Sequence, residues 1–204
     1  MLRLLPDKAL FWPRMKTLLL ADLHLGKVNH FRKAGVPVPP AANVQNTAAL
    51  IDVFRQTKPE RTIFLGDLLH SYYNDELEVL RQVLGHFTAC TFELVAGNHD
   101  ILPPLQYERL GIRVHAKHLA DAPFLFTHQP LPDASAAGYN LAGHLHPGIR
   151  LVGQARQAIT LPCFYFGKYA GLLPAFGSFT GLHRLKLKKS DRVFVIAENR
   201  VMAI

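Results

Sequence analysis

Short apolar runs that each end on a Gly, Asp, Asn or His recur along the chain as far as His146. Residues 17–21, 62–65, 92–96, 124–127 and 140–142 form these runs, and their polar or Gly/Pro boundaries mark them as buried strands. Between them, 44–56 and 75–87 read as amphipathic helices. In the second, Leu77, Val79, Leu80, Val83, Leu84 and Phe87 recur at helical spacing. A shorter helix is predicted over 103–110, with Pro103 and Pro104 suited to its first turn. Strand, helix, strand in succession predicts parallel pairing with right-handed crossovers, and such sheets collect ligands at the carboxyl ends of their strands.

Beyond residue 110 the pattern turns strand-rich. Residues 113–117, 149–153, 158–166, 182–187 and a hairpin over 192–204, turning near Glu198-Asn199-Arg200, predict a second sheet packed on the first. Residues 2–12 add a further hairpin. No repeat, low-complexity tract or long linker interrupts the 204 residues, so the chain reads as a single domain over 1–204 of α/β or α+β class. Hydrophobic content of 49% is enough for a core, and no apolar run approaches the roughly 20 residues of a membrane span. Arg3, Pro6, Asp7 and Lys8 break the start where a signal peptide would be apolar, so the expectation is a cytoplasmic protein. Cys90 and Cys163 match no metal-binding spacing and read as free thiols.

The candidate chemistry lies where the apolar runs end. Asp22-Leu23-His24, Gly66-Asp67, Gly97-Asn98-His99-Asp100, Thr127-His128 and Gly143-His144-Leu145-His146 each follow such a run. A lone Asp-x-His or a lone His is more often structural than a ligand, but five such blocks in order gather carboxylate, amide and imidazole donors. Mixed oxygen and nitrogen sets suit manganese, iron or zinc rather than magnesium or calcium. Asp22 and His24 point to one side if the chain stays extended past Ala21. The same holds for His144 and His146, although a turn after Gly143 would aim them at two neighbouring ions. The expected arrangement is Asp22, His24, Asp67 and His146 on one ion, and Asp67, Asn98, His128 and His144 on the other, with Asp67 between ions about 3.5–4 Å apart. His99 is the candidate proton donor to the leaving group, with Asp100 holding its imidazolium form. The other histidines, His30, His70, His86, His115, His118 and His183, are left as ordinary residues; His70 alone has a supporting role in view.

The chain carries 23 Lys+Arg against 15 Asp+Glu, a net +8 with pI near 9.7, which attracts polyanions. One concentration is Lys27, His30, Arg32 and Lys33, directly after the first motif, where Lys27 and Arg32 are candidate phosphate contacts. Another is Arg184, Lys186, Lys188 and Lys189, alternating with Leu185 and Leu187, which reads first as a solvated edge strand kept soluble by Lys.

The five blocks, which span 125 residues, resemble the motifs of the calcineurin-like metallophosphoesterase superfamily. That resemblance implies a four-layer αββα sandwich, the ligand roles above, and frequently manganese. A narrower likeness lies in Ala21-Asp22-Leu23-His24-Leu25-Gly26-Lys27, in 31–39, and in 161–167 with 173–181, which are similar to the bacterial ligase-associated DNA damage response endonuclease family. It implies action on single-stranded or damaged DNA, beside an ATP-dependent DNA ligase, a helicase and a nuclease of one repair pathway. Three readings follow: a DNA endonuclease or phosphodiesterase, supported by charge and by the narrower likeness; a phosphatase or phosphodiesterase of small nucleotides; and a non-catalytic interaction module, which has no need of His99.

Overall fold

The computed structural model describes residues 1–27, 41–69, 75–132, 138–153, 157–178 and 180–204. Its first sheet runs in the order β1 (Arg3–Leu4), β2 (Leu10–Trp12), β3 (Thr17–Leu20), β4 (Arg61–Leu65), β5 (Thr91–Val95) and β6 (Ile112–His115). The hairpin β1–β2 and its neighbour β3 pair antiparallel, whereas β3 to β6 are all parallel. The crossovers carry helices α1 (Ala41–Thr57), α2 (Asp75–His86) and the short α3 (Pro104–Glu108).

Strand alternation explains why these runs are apolar throughout. Leu18, Leu20, Phe64, Phe92 and Leu94 pack with Leu50, Val53 and Phe54 of α1, Leu77, Leu80 and Leu84 of α2, and Tyr107 of α3. Their neighbours Leu19, Ala21, Ile63, Leu65 and Val95 face the other way, onto Phe126, Leu141 and Phe164 of the second sheet. Each buried large side chain contributes about 1.5–3 kcal/mol relative to exposure.

The second sheet holds β7 (His118–Asp121), β8 (Phe124–Thr127), β9 (Tyr139–Ala142), β10 (Pro147–Val152), β11 (Ala158–Phe166), β12 (Ala170–Leu172), β13 (His183–Arg184), β14 (Arg192–Ala197) and β15 (Arg200–Ala203). Its main path is β13-β10-β11-β12-β9-β8-β7, with β14 and β15 attached through β11. Two stacked sheets in a mixed α/β fold, with helices on the first, make the expected sandwich. The fourth, outer helical layer is not among the described residues; Ile149, Cys163, Val193 and Val195 cluster with Leu185 outside the second sheet instead. One strand changes sheets relative to the sequence reading: 113–117, expected in the second, forms β6 at the edge of the first. Both cysteines are free and buried.

Candidate metal centre

Parallel pairing brings the carboxyl ends of β3, β4 and β5 to one edge, and those of β8 and β9 meet them there. The chain does not stay extended at this edge. Asp22, His24, Asp67, His144 and His146 all have left-handed backbones, with φ of 53°, 48°, 50°, 68° and 46°. Such conformations cost a non-Gly residue of order 1–3 kcal/mol and persist where the surroundings over-determine them. Here cross-links between the turns do so. The Asp22 N–H donates to the Gly66 carbonyl at 3.2 Å, the His24 N–H to the Asp67 carbonyl at 2.9 Å, and the His144 N–H to Asp22 Oδ2 at 2.9 Å. Convergence of Asp22 with His24 therefore comes from turn geometry and not from the strand alternation expected. For His144 and His146 the turn after Gly143 sends the two rings to different clusters. Gly97 is required by proximity, because a Cβ there would lie 2.3 Å from Asp67 Oδ1.

Two groups of donors result. Asp22, His24 and His146 each bring one atom within 4.8 Å of the others, and Asp67, His128 and His144 do the same. Asp67 faces both: Oδ2 lies 3.7 Å from His24 Nε2, and Oδ1 lies 3.5 Å from His128 Nε2. Asn98 Oδ1 joins the second group, 3.0 Å from His128 Nε2. Asp22 and Asp67 are 0% and 3% exposed, so two carboxylates sit away from water among imidazoles. Buried charge of that kind calls for a counter-charge. His146 Nε2 is also buried and has no hydrogen-bond partner among the described residues.

The imidazoles are aimed from behind. His128 Nδ1 lies 3.0 Å from the Leu65 carbonyl and His146 Nδ1 lies 3.2 Å from the Gly181 carbonyl, contacts that fix Nδ1–H as donor and leave Nε2 for the centre. Burial, aided by neighbouring His128, lowers the His144 pKa and favours the neutral ring that a ligand needs. This oxygen and nitrogen donor set, with its orphaned Nε2, fits a pair of divalent cations.

His99 stands beside the first group, its ring 5.4 Å from that of His24 and its backbone N–H donating to Asp67 Oδ1 at 2.9 Å. Asp100 departs from expectation. Its hydrogen bonds come from the N–H groups of Gly97, Leu68 and Leu69 and from the Tyr107 hydroxyl, so it clamps the turns that carry Asp67 and Asn98 and does not hold the His99 ring. Burial pushes its carboxyl up to about 6, against the pull of those backbone donors. Lys27 is half-buried. Burial lowers its pKa while Asp67 and Asp22 oppose that shift, which places its ammonium in the field of both carboxylates. Arg32, Lys33 and His70 lie outside the described residues. Sequence reasoning missed the Leu65 and Gly181 carbonyls and Tyr107, because backbone acceptors and a buried phenol carry no spacing signature.

Sandwich and centre together define a metal-dependent phosphoesterase. The profile of the calcineurin-like phosphoesterases matches residues 15–148, and the chain belongs to that family. Among solved structures, the nuclease MPE of Pseudomonas putida is 30% identical and superposes with a TM-score of 0.80, over 100% of this chain and 94% of that one. The phosphoesterase YfcE of E. coli is 12% identical, with a TM-score of 0.48 over 92% of this chain and 96% of its own. No curated protein matches the chain.

Proposed function

We propose that this phosphoesterase hydrolyses phosphodiester bonds in DNA, with manganese as its activating ion, and serves DNA repair. The observation that carries the reading is a donor set split into two groups about Asp67, in a chain similar over its full length to a nuclease. The net charge of +8 supports a polyanionic substrate. Two divalent cations, when bound, lower the pKa of water and neutralise charge on the transferring phosphate oxygens. Asp22, His24, Asp67 and His146 would hold one, and Asp67, Asn98, His128 and His144 the other. The chain's own groups supply the rest. Lys27 contributes positive charge beside the bound phosphate. His99 donates a ring N–H proton to the leaving-group oxygen as the P–O bond breaks, and that oxygen leaves as an alcohol.

The test offers the purified protein, with manganese, a phosphodiester dye, a phosphomonoester dye, and circular and linear single-stranded DNA side by side. Cleavage of the circle establishes endonuclease action. Turnover of the monoester with both DNAs intact would replace this reading with a phosphatase of small nucleotides.

A further inference from the structure

The second basic cluster takes no part in the chemistry above, yet the backbone ties it to the centre. Strand β13 pairs in parallel with β10, His183 level with Pro147 and Arg184 with Gly148. The His183 N–H donates to the His146 carbonyl at 3.0 Å and the Leu185 N–H to Gly148 at 3.1 Å. The segment therefore departs from a candidate ligand, His146, whose Nδ1 is itself fixed by the Gly181 carbonyl. Leu185 turns inward onto the cluster of Ile149, Cys163 and Val193, while Arg184 and Lys186 on either side of it are exposed. Arg184, Lys186, Lys188 and Lys189 are all exposed, and none forms an ion pair with a carboxylate among the described residues.

At the far end, Lys188 and Asp191 reach a cavity of about 290 Å³ whose walls include Tyr165, Lys168 and Tyr169. Lys168 Nζ stands 4.7 Å from the centre of the Tyr169 ring, which is 41% exposed. Outward residues two apart on an extended chain repeat at about 7 Å, comparable with successive phosphates along an extended single strand. An exposed phenol flanked by a cation is a platform for an unstacked base. Only His183–Arg184 of this segment is strand, and from there to Lys188 the chain reaches at most about 17 Å, enough for a few nucleotides.

We propose that residues 183–189 form a rail for single-stranded polynucleotide, running from the metal centre to the Tyr165–Tyr169 cavity. Arg184, Lys186 and Lys188 hold successive phosphates on one side of the bond to be cut, and Tyr169 stacks on a base at the end. The inference rests on the reading that the centre acts on nucleic acid and adds where the strand lies.

Anisotropy of a labelled twelve-nucleotide oligothymidine, with phosphorothioate links that slow cleavage, tests it on manganese-loaded protein at several salt concentrations. Lys186→Gln with Lys188→Gln should flatten the plot of log affinity against log salt by about 1.4, or 0.7 per lost contact to a single strand. Tyr169→Ala should weaken binding roughly 5- to 100-fold. Arg14→Gln with Lys58→Gln removes the same charge at the amino ends of β3 and β4 and should leave the slope of the parent. An unchanged slope in the Lys186/Lys188 pair, an equal drop in the Arg14/Lys58 pair, or full affinity after Tyr169→Ala would overturn the rail. Failure of the parent to cut DNA while the Lys186/Lys188 slope falls would sink the nuclease reading and keep the rail; cleavage with every slope unchanged would do the reverse.

Discussion

Asp67 is the residue through which the two halves of the centre meet, one carboxylate oxygen towards His24 and the other towards His128. Its neighbour across the turn, His99, is tied to Asp67 through a backbone hydrogen bond, and its ring stands beside that of His24. His99→Ala should therefore keep the metals yet lose roughly 100- to 10,000-fold in rate on a poor leaving group, the usual worth of general acid catalysis. A nitrophenyl ester needs little protonation, so its hydrolysis should suffer much less. Equal losses on the two substrates would make His99 a positioning residue. Asp100 contrasts with it: a carboxylate that reads as catalytic from its place beside His99 proves to be a clamp between backbone turns.

At the scale of elements, function depends on strand ends that turn sharply and closely past one another. Gly97→Ala tests that closeness. Its Cβ would sit 2.3 Å from Asp67 Oδ1, so the carboxylate or the turn must shift. The variant should fold with little change in circular dichroism and lose metal affinity by roughly 10- to 100-fold, the scale seen when supporting groups of a metal site are altered; unchanged metal affinity would contradict the tight approach. The strands that carry ligands were legible because burial on both faces makes them largely apolar, as Thr17–Leu20 and the Ile63–Leu65 end of β4 are. β7 was not, since His118–Asp121 is a half-exposed edge strand with an alternating pattern and no apolar run, and neither was the three-residue β12. Sheet membership of β6 depends on a pairing with β5 that no local pattern encodes. The six residues that gather into the two clusters, Asp22, His24, Asp67, His128, His144 and His146, were candidates from residue type and order, while the separation of His144 from His146 follows left-handed turns that spacing alone leaves open.

At the scale of the molecule, the two sheets are joined by charge as well as by apolar packing. Arg61 of β4 bonds Glu93 of β5 at 2.6 Å and also Asp121 of β7, and His115 of β6 reaches Glu93 at 2.6 Å. Burial raises the Glu93 pKa, but hydrogen bonds from Arg61 and His115 outweigh it and hold the carboxyl below its ordinary 4.5. A depressed carboxylate stabilises the fold above its unfolded pKa, and that contribution is lost as pH falls through the folded value. Glu93→Gln should thus cost about 1–3 kcal/mol at pH 7, read as a lower unfolding temperature. The gap from the parent should narrow as the pH falls below 4.5 and close only below the depressed folded value, where the Glu93 carboxyl is protonated. A gap independent of pH would show that Glu93 acts through packing alone.

The central claim is one centre of two cation sites joined by Asp67, and metal content tests it most directly. Asp67→Asn should bind fewer than two ions per chain and lose activity, whereas Asp22→Asn should weaken chiefly one site. Two tightly bound ions and full turnover in Asp67→Asn would contradict the account.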